Sequence, residues 1–89
     1  MKRIYAVVLG QVQGVGFRIF LKMLADKYNC SGWVRNMENG CVEFELQTKD
    51  ENINNILKAI IKGNSFIKVE EYQLKEITIK EDEKEFKII

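Results

Sequence analysis

A stretch near the start of the sequence, Gln11–Arg18, combines two glycines with an arginine in a pattern suited to holding an anion. It lies between a run of apolar residues and a segment of helical periodicity. Gly14 and Gly16 permit backbone conformations that turn successive N–H groups to one side, and the first N–H groups of a helix have no partner within it. Because the helix dipole adds positive potential and Arg18 can add a fork of donors, the physical chemistry of this stretch favours an anion as its ligand.

Two well-known phosphate loops do not fit the same stretch. A Walker A loop requires Lys and then Ser or Thr after its last glycine, whereas Phe17 and Arg18 follow Gly16. A dinucleotide fingerprint requires a third glycine where Ile19 stands. The simpler alternative, that the glycines only form a tight turn between a strand and a helix, therefore stays open.

A second candidate for chemistry is Asn36, the last residue of the segment Gly32–Asn36. A strand that ends on an asparagine facing the core places a polar group where it needs a hydrogen-bond partner. Its carboxamide could hold a water molecule or a substrate oxygen. The alternative is that Asn36 only initiates the turn over residues 37–40, as asparagine often does.

The composition excludes several classes of mechanism. The 89 residues contain no His, which rules out an imidazole base or ligand, and two Cys are too few for a structural zinc site. Cys30 and Cys41 are expected on the order of 20 Å apart along a hairpin, too far for a disulfide. We expect neither a cofactor nor a metal site.

Charge and hydropathy limit the partners. The chain has 14 basic and 13 acidic residues, a balance that argues against nucleic acid. No apolar run approaches the roughly 18 residues of a membrane span, and the N-terminal residues do not resemble a signal peptide, so we expect a cytoplasmic protein. The three arginines, Arg3, Arg18 and Arg35, all precede residue 36, which hints at anion chemistry early in the chain.

The elements that would position these residues follow from periodicity. The apolar run Ile4–Leu9 predicts a buried strand, and a helical stripe begins at Phe17 and ends near Asn29, a plausible left-handed C-cap. Ser31–Asn36 and Cys41–Gln47 predict two further strands. In the latter, three apolar residues face inward and three polar residues face outward: Val42, Phe44 and Leu46, and Glu43, Glu45 and Gln47.

The register of this hairpin can be predicted from the cost of burying a charge. A two-residue Asn-Gly turn would set Arg35 opposite Phe44 and leave an unpaired charge in the core. A three-residue loop with a left-handed Gly40 instead sets Asn36 opposite Val42. We prefer this second register, which turns Asn36 to the helix-covered face.

The second half of the chain predicts one helix and two strands. Thr48–Glu51 is typical of a capping box, and the helix that follows ends at Gly63. Strands are expected near Tyr72–Lys80 and over Glu85–Ile88, the latter as a short edge strand. The charged stretch Lys80–Glu85 is expected to be a solvated turn.

The order βαββαβ with a C-terminal edge strand predicts a ferredoxin-like α/β sandwich over residues 1–89, a single domain with an antiparallel sheet and both helices on one face. The first two strands run in the same direction, and the third lies between them. Gln11–Arg18 and Asn36 should then meet at one edge of the sheet, about 10 Å apart, and face one small pocket.

Val12–Arg18 followed by Gly32–Asn36 resembles the paired motifs of the acylphosphatase family, and the Asn39-Gly40 turn and the terminal Phe86–Ile88 match as well. The resemblance covers nearly the whole chain. It departs from the family at Gly63–Ser65, where many members have Gly-Pro, and at Gln11, a position that is often basic.

The resemblance implies hydrolysis of the mixed anhydride of a carboxylic acid and phosphate, without a metal or a covalent phosphoenzyme. It implies that Arg18 and the loop amides hold the phosphate and that Asn36 orients the attacking water. Arg18 and Asn36 are thus the expected catalytic residues, and the expected phosphate-binding residues are Gln13, Gly14, Val15, Gly16, Phe17 and Arg18.

We expect a monomer that acts on a small acyl phosphate and that inorganic phosphate or sulfate inhibits competitively. The alternatives are a non-catalytic module of the same fold, either a phosphometabolite sensor or an accessory to a larger enzyme, and an RNA-binding module. RNA binding would require exposed aromatic residues on the open sheet face and a basic surface.

Overall fold

The chain folds into five strands and two helices, and the computed structural model describes all 89 residues. In chain order the elements are β1 (Lys2–Gln11), α1 (Phe17–Lys27), β2 (Ser31–Asn36), β3 (Val42–Thr48), α2 (Asp50–Lys62), β4 (Lys68–Ile77) and β5 (Phe86–Ile88). The strands form one sheet in the order β4-β1-β3-β2-β5. The predicted ferredoxin-like sandwich is confirmed.

The predicted antiparallel sheet is present in the first four strands, and the added edge strand β5, whose direction the sequence did not specify, makes the sheet mixed. β1, β3, β2 and β4 pair antiparallel, but β5 runs parallel to β2. The reason is topological. β4 ends opposite Arg3, at the end of the sheet where strands β1 and β2 begin. The chain then crosses the open face at that same end and reaches β2 where β2 begins. A strand added there runs in the same direction as β2.

The core lies between the sheet and the two helices. From α1 it receives Phe17, Leu21 and Ala25, the fully buried part of the predicted stripe. The helix ends as predicted near a left-handed Asn29, whose φ is 52°. The Cys30 N–H then reaches back to the Ala25 carbonyl at 2.8 Å, a bond that closes the last turn. From the strands the core receives the alternate residues Ile4, Ala6, Val8, Val34, Val42, Phe44 and Leu46.

The start of α2 differs from the predicted capping box. The residue that precedes the helix is Lys49, and no side chain caps it. Thr48 still belongs to β3, where it pairs with Lys2, and its hydroxyl donates instead to the Tyr28 carbonyl at 3.3 Å. Asn52 donates to the same carbonyl at 3.2 Å. The hydroxyl that a capping box needs is therefore used to join the ends of α1 and β3.

The strand predicted near Tyr72–Lys80 begins and ends earlier, at Lys68 and Ile77. β4 lies at the edge of the sheet, so even its apolar Leu74 stays 42% exposed, and the alternation used to place the strand was weak. The segment before it is closed by Asn64, whose Oδ1 accepts from the N–H groups of Phe66 and Ile67, both at 2.8 Å.

The open face of the sheet carries a buried arginine. Arg3 has no exposed side-chain surface and donates to Glu45 and Glu83, both at 2.7 Å, and to Gln47 at 3.0 Å. Gln47 also bonds to the backbone N–H and carbonyl of Lys80. The stretch Lys80–Glu85 is exposed as predicted for a solvated turn, apart from the half-buried Glu83. The contacts of Glu83 and of the Lys80 backbone attach it to this end of the sheet, which the sequence did not indicate.

A second polar cluster lies further along the open face. The Tyr5 hydroxyl donates to Glu43 at 2.6 Å, and the Arg35 guanidinium donates to the other Glu43 oxygen. Both donors lower the pKa of the Glu43 carboxyl, with Tyr5 the larger cause. The hydrogen bond to Glu43 is also the main reason that the pKa of Tyr5 is raised to about 12, and burial of the hydroxyl is the second. Glu43 points away from the core as predicted, but it is buried by these partners.

The pKa of Glu43 predicts how stability depends on pH. Because its folded-state pKa is lowered, the carboxylate stabilises the fold above the ordinary glutamate range, and this contribution is lost as pH falls through the folded value. Glu43→Gln should lower the free energy of unfolding by about 2 kcal/mol at pH 7. The difference from the parent chain should shrink below about pH 4.

Urea unfolding at pH 7 and pH 3 measures both quantities. Glu71→Gln is the control, because Glu71 is exposed on β4 and bonds to no side chain. A difference of equal size at the two pH values would contradict the assigned role of the carboxylate.

Neither helix is long and apolar enough to cross a membrane.

Candidate active site

The loop between β1 and α1 depends on two left-handed glycines. Gly14 has a φ of 72°, and Gly16, the residue that precedes α1, has φ 81° and ψ 16°. A Cβ atom at either position would meet no atom within 4 Å, so space for a Cβ does not require glycine there. The backbone conformation does, because a left-handed residue with a Cβ costs about 1–2 kcal/mol.

This loop presents a row of backbone donors that the protein itself does not use. The N–H groups of Gln13, Gly14, Val15 and Gly16 donate to no atom of the chain, and the first hydrogen bond of the following helix runs from the Phe20 N–H to the Gly16 carbonyl at 3.0 Å. Gly14 and Gly16 are exposed. Successive free N–H groups beside a helix N-terminus create positive potential suited to an anion.

Arg18 is the one arginine without an acidic partner. It lies exposed in the first turn of α1 and forms neither an ion pair nor a side-chain hydrogen bond. Of the three arginines that hinted at anion chemistry, Arg18 alone has no acidic partner in the protein. Arg3 and Arg35 are used on the open face, by Glu45 and Glu83 and by Glu43.

Gln13 joins the loop to the β2–β3 hairpin. Its side-chain Nε2 donates to the Met37 carbonyl at 2.7 Å and to the Cys41 carbonyl at 2.8 Å. These two carbonyls flank the turn, where Met37 N–H also donates to Cys41 O at 2.8 Å. The sequence suggested Gln13 only as a backbone donor, because no local pattern shows what its side chain contacts 24 residues later.

Asn36 occupies the position that the preferred register predicted. It pairs with Val42, which in turn pairs with Val8 on β1, so the three residues form a row across the sheet. Its side-chain Oδ1 is buried and has no hydrogen-bond partner. The turn that follows is held by Asn39, whose Oδ1 accepts from the Cys41 N–H at 3.0 Å. The side chain of Asn36 contributes no hydrogen bond to that turn.

Arg18 and Asn36 line separate depressions, so the single pocket that we expected is not found. The first depression, about 240 Å³ in volume, is lined by Val12, Gly14, Gly16, Phe17, Arg18, Ile19 and Ile88. Asn36 lines a neighbouring one with Arg35, Met37, Glu38 and Glu43. The Gln13 side chain reaches from the loop to the hairpin. Arg18 and Asn36 therefore lie at the same end of the sheet but in different depressions.

Neither cysteine side chain takes part in this arrangement, although the backbone of Cys41 does. Both are free thiols, and Cys30 is buried, which raises its pKa to about 12. Such a thiol is unsuited to nucleophilic work.

Ile88 lines the first depression, although the sequence did not suggest it. Only the parallel pairing of β5 with β2 could have indicated its place.

Comparison with known proteins identifies the family. The acylphosphatase family model matches residues 4–88. This chain belongs to the acylphosphatase family. It is 46% identical to the acylphosphatase of Clostridium acetobutylicum over 89 residues, which cover 100% of this chain and 98% of that protein.

Solved structures of the family share the fold. The crystal structure of acylphosphatase from Bacillus subtilis superposes with a TM-score of 0.93 at 35% identity and covers 100% of this chain and 99% of that one. Full-length HypF, in its phosphate- and nucleotide-bound form, contains a similar segment with a TM-score of 0.87 at 33% identity. That match covers 99% of this chain but 12% of HypF.

The two bonds of the Gln13 side chain predict a stability test. Gln13→Ala removes both, and we expect the free energy of unfolding to fall by about 1–2 kcal/mol. Gln13→Glu should cost more at pH 7, because a carboxylate has no proton to donate and would face two carbonyl oxygens. Urea unfolding measures both losses.

Gln73→Glu is the matched control, since Gln73 is exposed on β4 and gains the same charge. If Gln13→Glu proved as stable as Gln13→Ala, the side chain would not be the donor to Met37 and Cys41.

Proposed function

We propose that this member of the acylphosphatase family hydrolyses acyl phosphates to a carboxylate and inorganic phosphate. The observation that supports this most strongly is the combination of unused N–H groups over residues 13–16 with an arginine that has no acidic partner. A dianionic phosphate would satisfy both. We also infer that residues 1–89 act as one domain, as a monomer, on a small-molecule substrate.

The phosphate is held by the loop and Arg18. The amides of Gln13, Gly14, Val15, Gly16 and Phe17 supply donors in a fixed array, and the Arg18 guanidinium adds a planar fork and a full positive charge. Donors that are already in place need no reorganisation when charge develops on the transferring phosphoryl group, and catalysis of this kind works by positioning and charge stabilisation.

Asn36 orients the attacking water. Its Oδ1 is a buried acceptor without a donor in the protein, and such a group costs about 1–3 kcal/mol unless an O–H reaches it. We infer that a water donating to this oxygen is the one that attacks the phosphate held by the loop. The row Val8–Val42–Asn36 fixes the carboxamide relative to the strand that leads into the loop.

The reaction then needs one bond made and one broken. The water oxygen forms a bond to phosphorus, and the bond between phosphorus and the acyl oxygen breaks, so that the carboxylate leaves with the electron pair. The water proton passes to a phosphate oxygen of the substrate, because no imidazole or other base is available in the loop. The products are a carboxylate and dihydrogen phosphate, which releases a further proton at neutral pH.

The alternative is an accessory module that binds a phosphorylated metabolite without turnover, and its one point of support is that the similar segment of HypF is a small part, 12%, of a longer chain. Binding of acyl phosphate without release of inorganic phosphate by the isolated chain would support that alternative. Turnover of acetyl phosphate or benzoyl phosphate in the presence of a chelator, with phosphate monoesters left intact, would support the hydrolase.

Arg18 variants test how the phosphate is held. Arg18→Ala should lower kcat/KM on the order of 10³-fold and weaken competitive inhibition by inorganic phosphate and sulfate in parallel. Arg18→Lys should recover little, because an ammonium lacks the bidentate fork. Lys58→Ala removes one positive charge from the exposed surface of α2 and should leave both constants unchanged. Near-normal turnover by the lysine variant would show that the fork is not used.

Asn36 variants separate water positioning from a structural role. Asn36→Ala should lower kcat about 10²-fold or more and leave phosphate inhibition nearly unchanged. Asn36→Asp should also weaken phosphate binding, because a carboxylate there repels the dianion.

Asn39→Ala is the matched control in the same hairpin, and it should lower the melting temperature with kcat per folded molecule preserved. If Asn36→Ala behaved like Asn39→Ala, Asn36 would have no part in the chemistry.

A further inference from the structure

Two exposed isoleucines stand beside the loop. Ile19 follows Arg18 in α1 and is 63% exposed, and Ile88 lies at the end of β5 and is 40% exposed. Both line the depression that contains Gly14, Gly16 and Arg18. The other apolar residues of its lining, Val12 and Phe17, are fully buried, so Ile19 and Ile88 carry the apolar surface that a bound molecule could still cover.

The parallel pairing of β5 explains why Ile88 reaches this place. Ile88 pairs with Val34 on β2, two residues before Asn36, and the following Ile89 N–H donates to the Val34 carbonyl at 2.9 Å. Since β5 runs in the direction of β2, its end lies at the sheet edge from which the loop rises. Phe86 faces the core, and alternation places Ile88 on the same face two residues later.

The charges around the depression are as informative as the apolar groups. Arg18 is the single charged residue of the lining. If it binds the phosphate, an acyl group that extends from that phosphate meets two isoleucines and no cation. A carboxylate or second phosphate on the acyl group would lose water there without gaining a partner.

We propose that Ile19 and Ile88 bind the acyl portion of the substrate and select uncharged, apolar acyl groups over charged ones. This inference rests on the proposed hydrolysis of acyl phosphates and names the substrate class for the same site. Ile19 and Ile88 would determine which acyl group is accepted, whereas the loop amides, Arg18 and Asn36 act on the phosphate and the attacking water.

Three substrates test the inference. Acetyl phosphate and hexanoyl phosphate have leaving carboxylates of nearly equal basicity and differ in apolar length, and succinyl phosphate carries a charge on its acyl group. For the parent chain, kcat/KM should be about tenfold higher for hexanoyl than for acetyl phosphate, and lowest for succinyl phosphate. Ratios between substrates on one enzyme cancel any change in the fraction of folded protein.

Variants of the two isoleucines should change these ratios. Ile19→Ala and Ile88→Ala should each lower the hexanoyl-to-acetyl ratio about threefold, and Ile19→Lys should raise the succinyl-to-acetyl ratio about threefold. Ile61→Ala and Ile61→Lys are matched controls, because Ile61 is 44% exposed on α2 and lies outside the depression. The Ile19 variants keep the test valid if Ile88→Ala weakens β5.

Unchanged ratios in both Ile19 variants and in Ile88→Ala, in an enzyme that turns over acetyl phosphate normally, would overturn the inference and leave the proposed function standing. Equal changes in the Ile61 variants would overturn it as well. A parent chain that hydrolyses none of the three substrates would overturn the proposed function, and the inference with it.

Discussion

The register of β3 between β1 and β2 is the constraint on which the site depends. In this register Val8, Val42 and Asn36 lie in one row, and Asn36 faces the helix-covered side at the edge where the loop begins. A shift of one residue would exchange the two faces of β2, sending Asn36 to the open face and the Arg35 charge into the core. The cost of burying that charge therefore secures the position of Asn36.

Gln13 extends this constraint to the loop. Its bonds to the Met37 and Cys41 carbonyls connect the loop between β1 and α1 to the β2–β3 hairpin, whose first strand ends at Asn36. The two halves of the site come from separate elements, and this side chain is a direct polar link between them. Meanwhile the open face uses Arg3 and Arg35 in ion pairs with Glu45, Glu83 and Glu43, which leaves Arg18 free for an external anion.

Much of the fold could be predicted where the pattern along the chain reports burial. β2 has the predicted bounds, and the hairpin register follows from the cost of burying Arg35. The pattern was least informative for β4, because an edge strand buries little of either face. The capping box was wrong because the Thr48 hydroxyl donates to Tyr28, a contact that spans 20 residues and leaves no local signal.

The candidate site, like the fold, could be predicted from the sequence where its features are local and not where they depend on distant contacts. The spacing of Gly14, Gly16 and Arg18 indicates an anion loop, since left-handed glycines and a helix start are local features. The roles of the Gln13 side chain and of Ile88 depend on contacts made by distant parts of the chain. The resemblance in the two motifs suggested the family and the roles of Arg18 and Asn36, and the family is now shown by a match over residues 4–88.

The proposed reaction depends above all on phosphate binding by the amides of residues 13–18. The most direct measurement is a titration of the ¹⁵N–¹H spectrum of the protein with inorganic phosphate at constant ionic strength. We expect the largest chemical-shift changes on the amides of residues 13–18. These changes should saturate with a single dissociation constant equal to the inhibition constant of phosphate. Changes spread over the lysine-bearing surfaces of α2 and β4, without saturation and with the loop amides unmoved, would contradict this expectation.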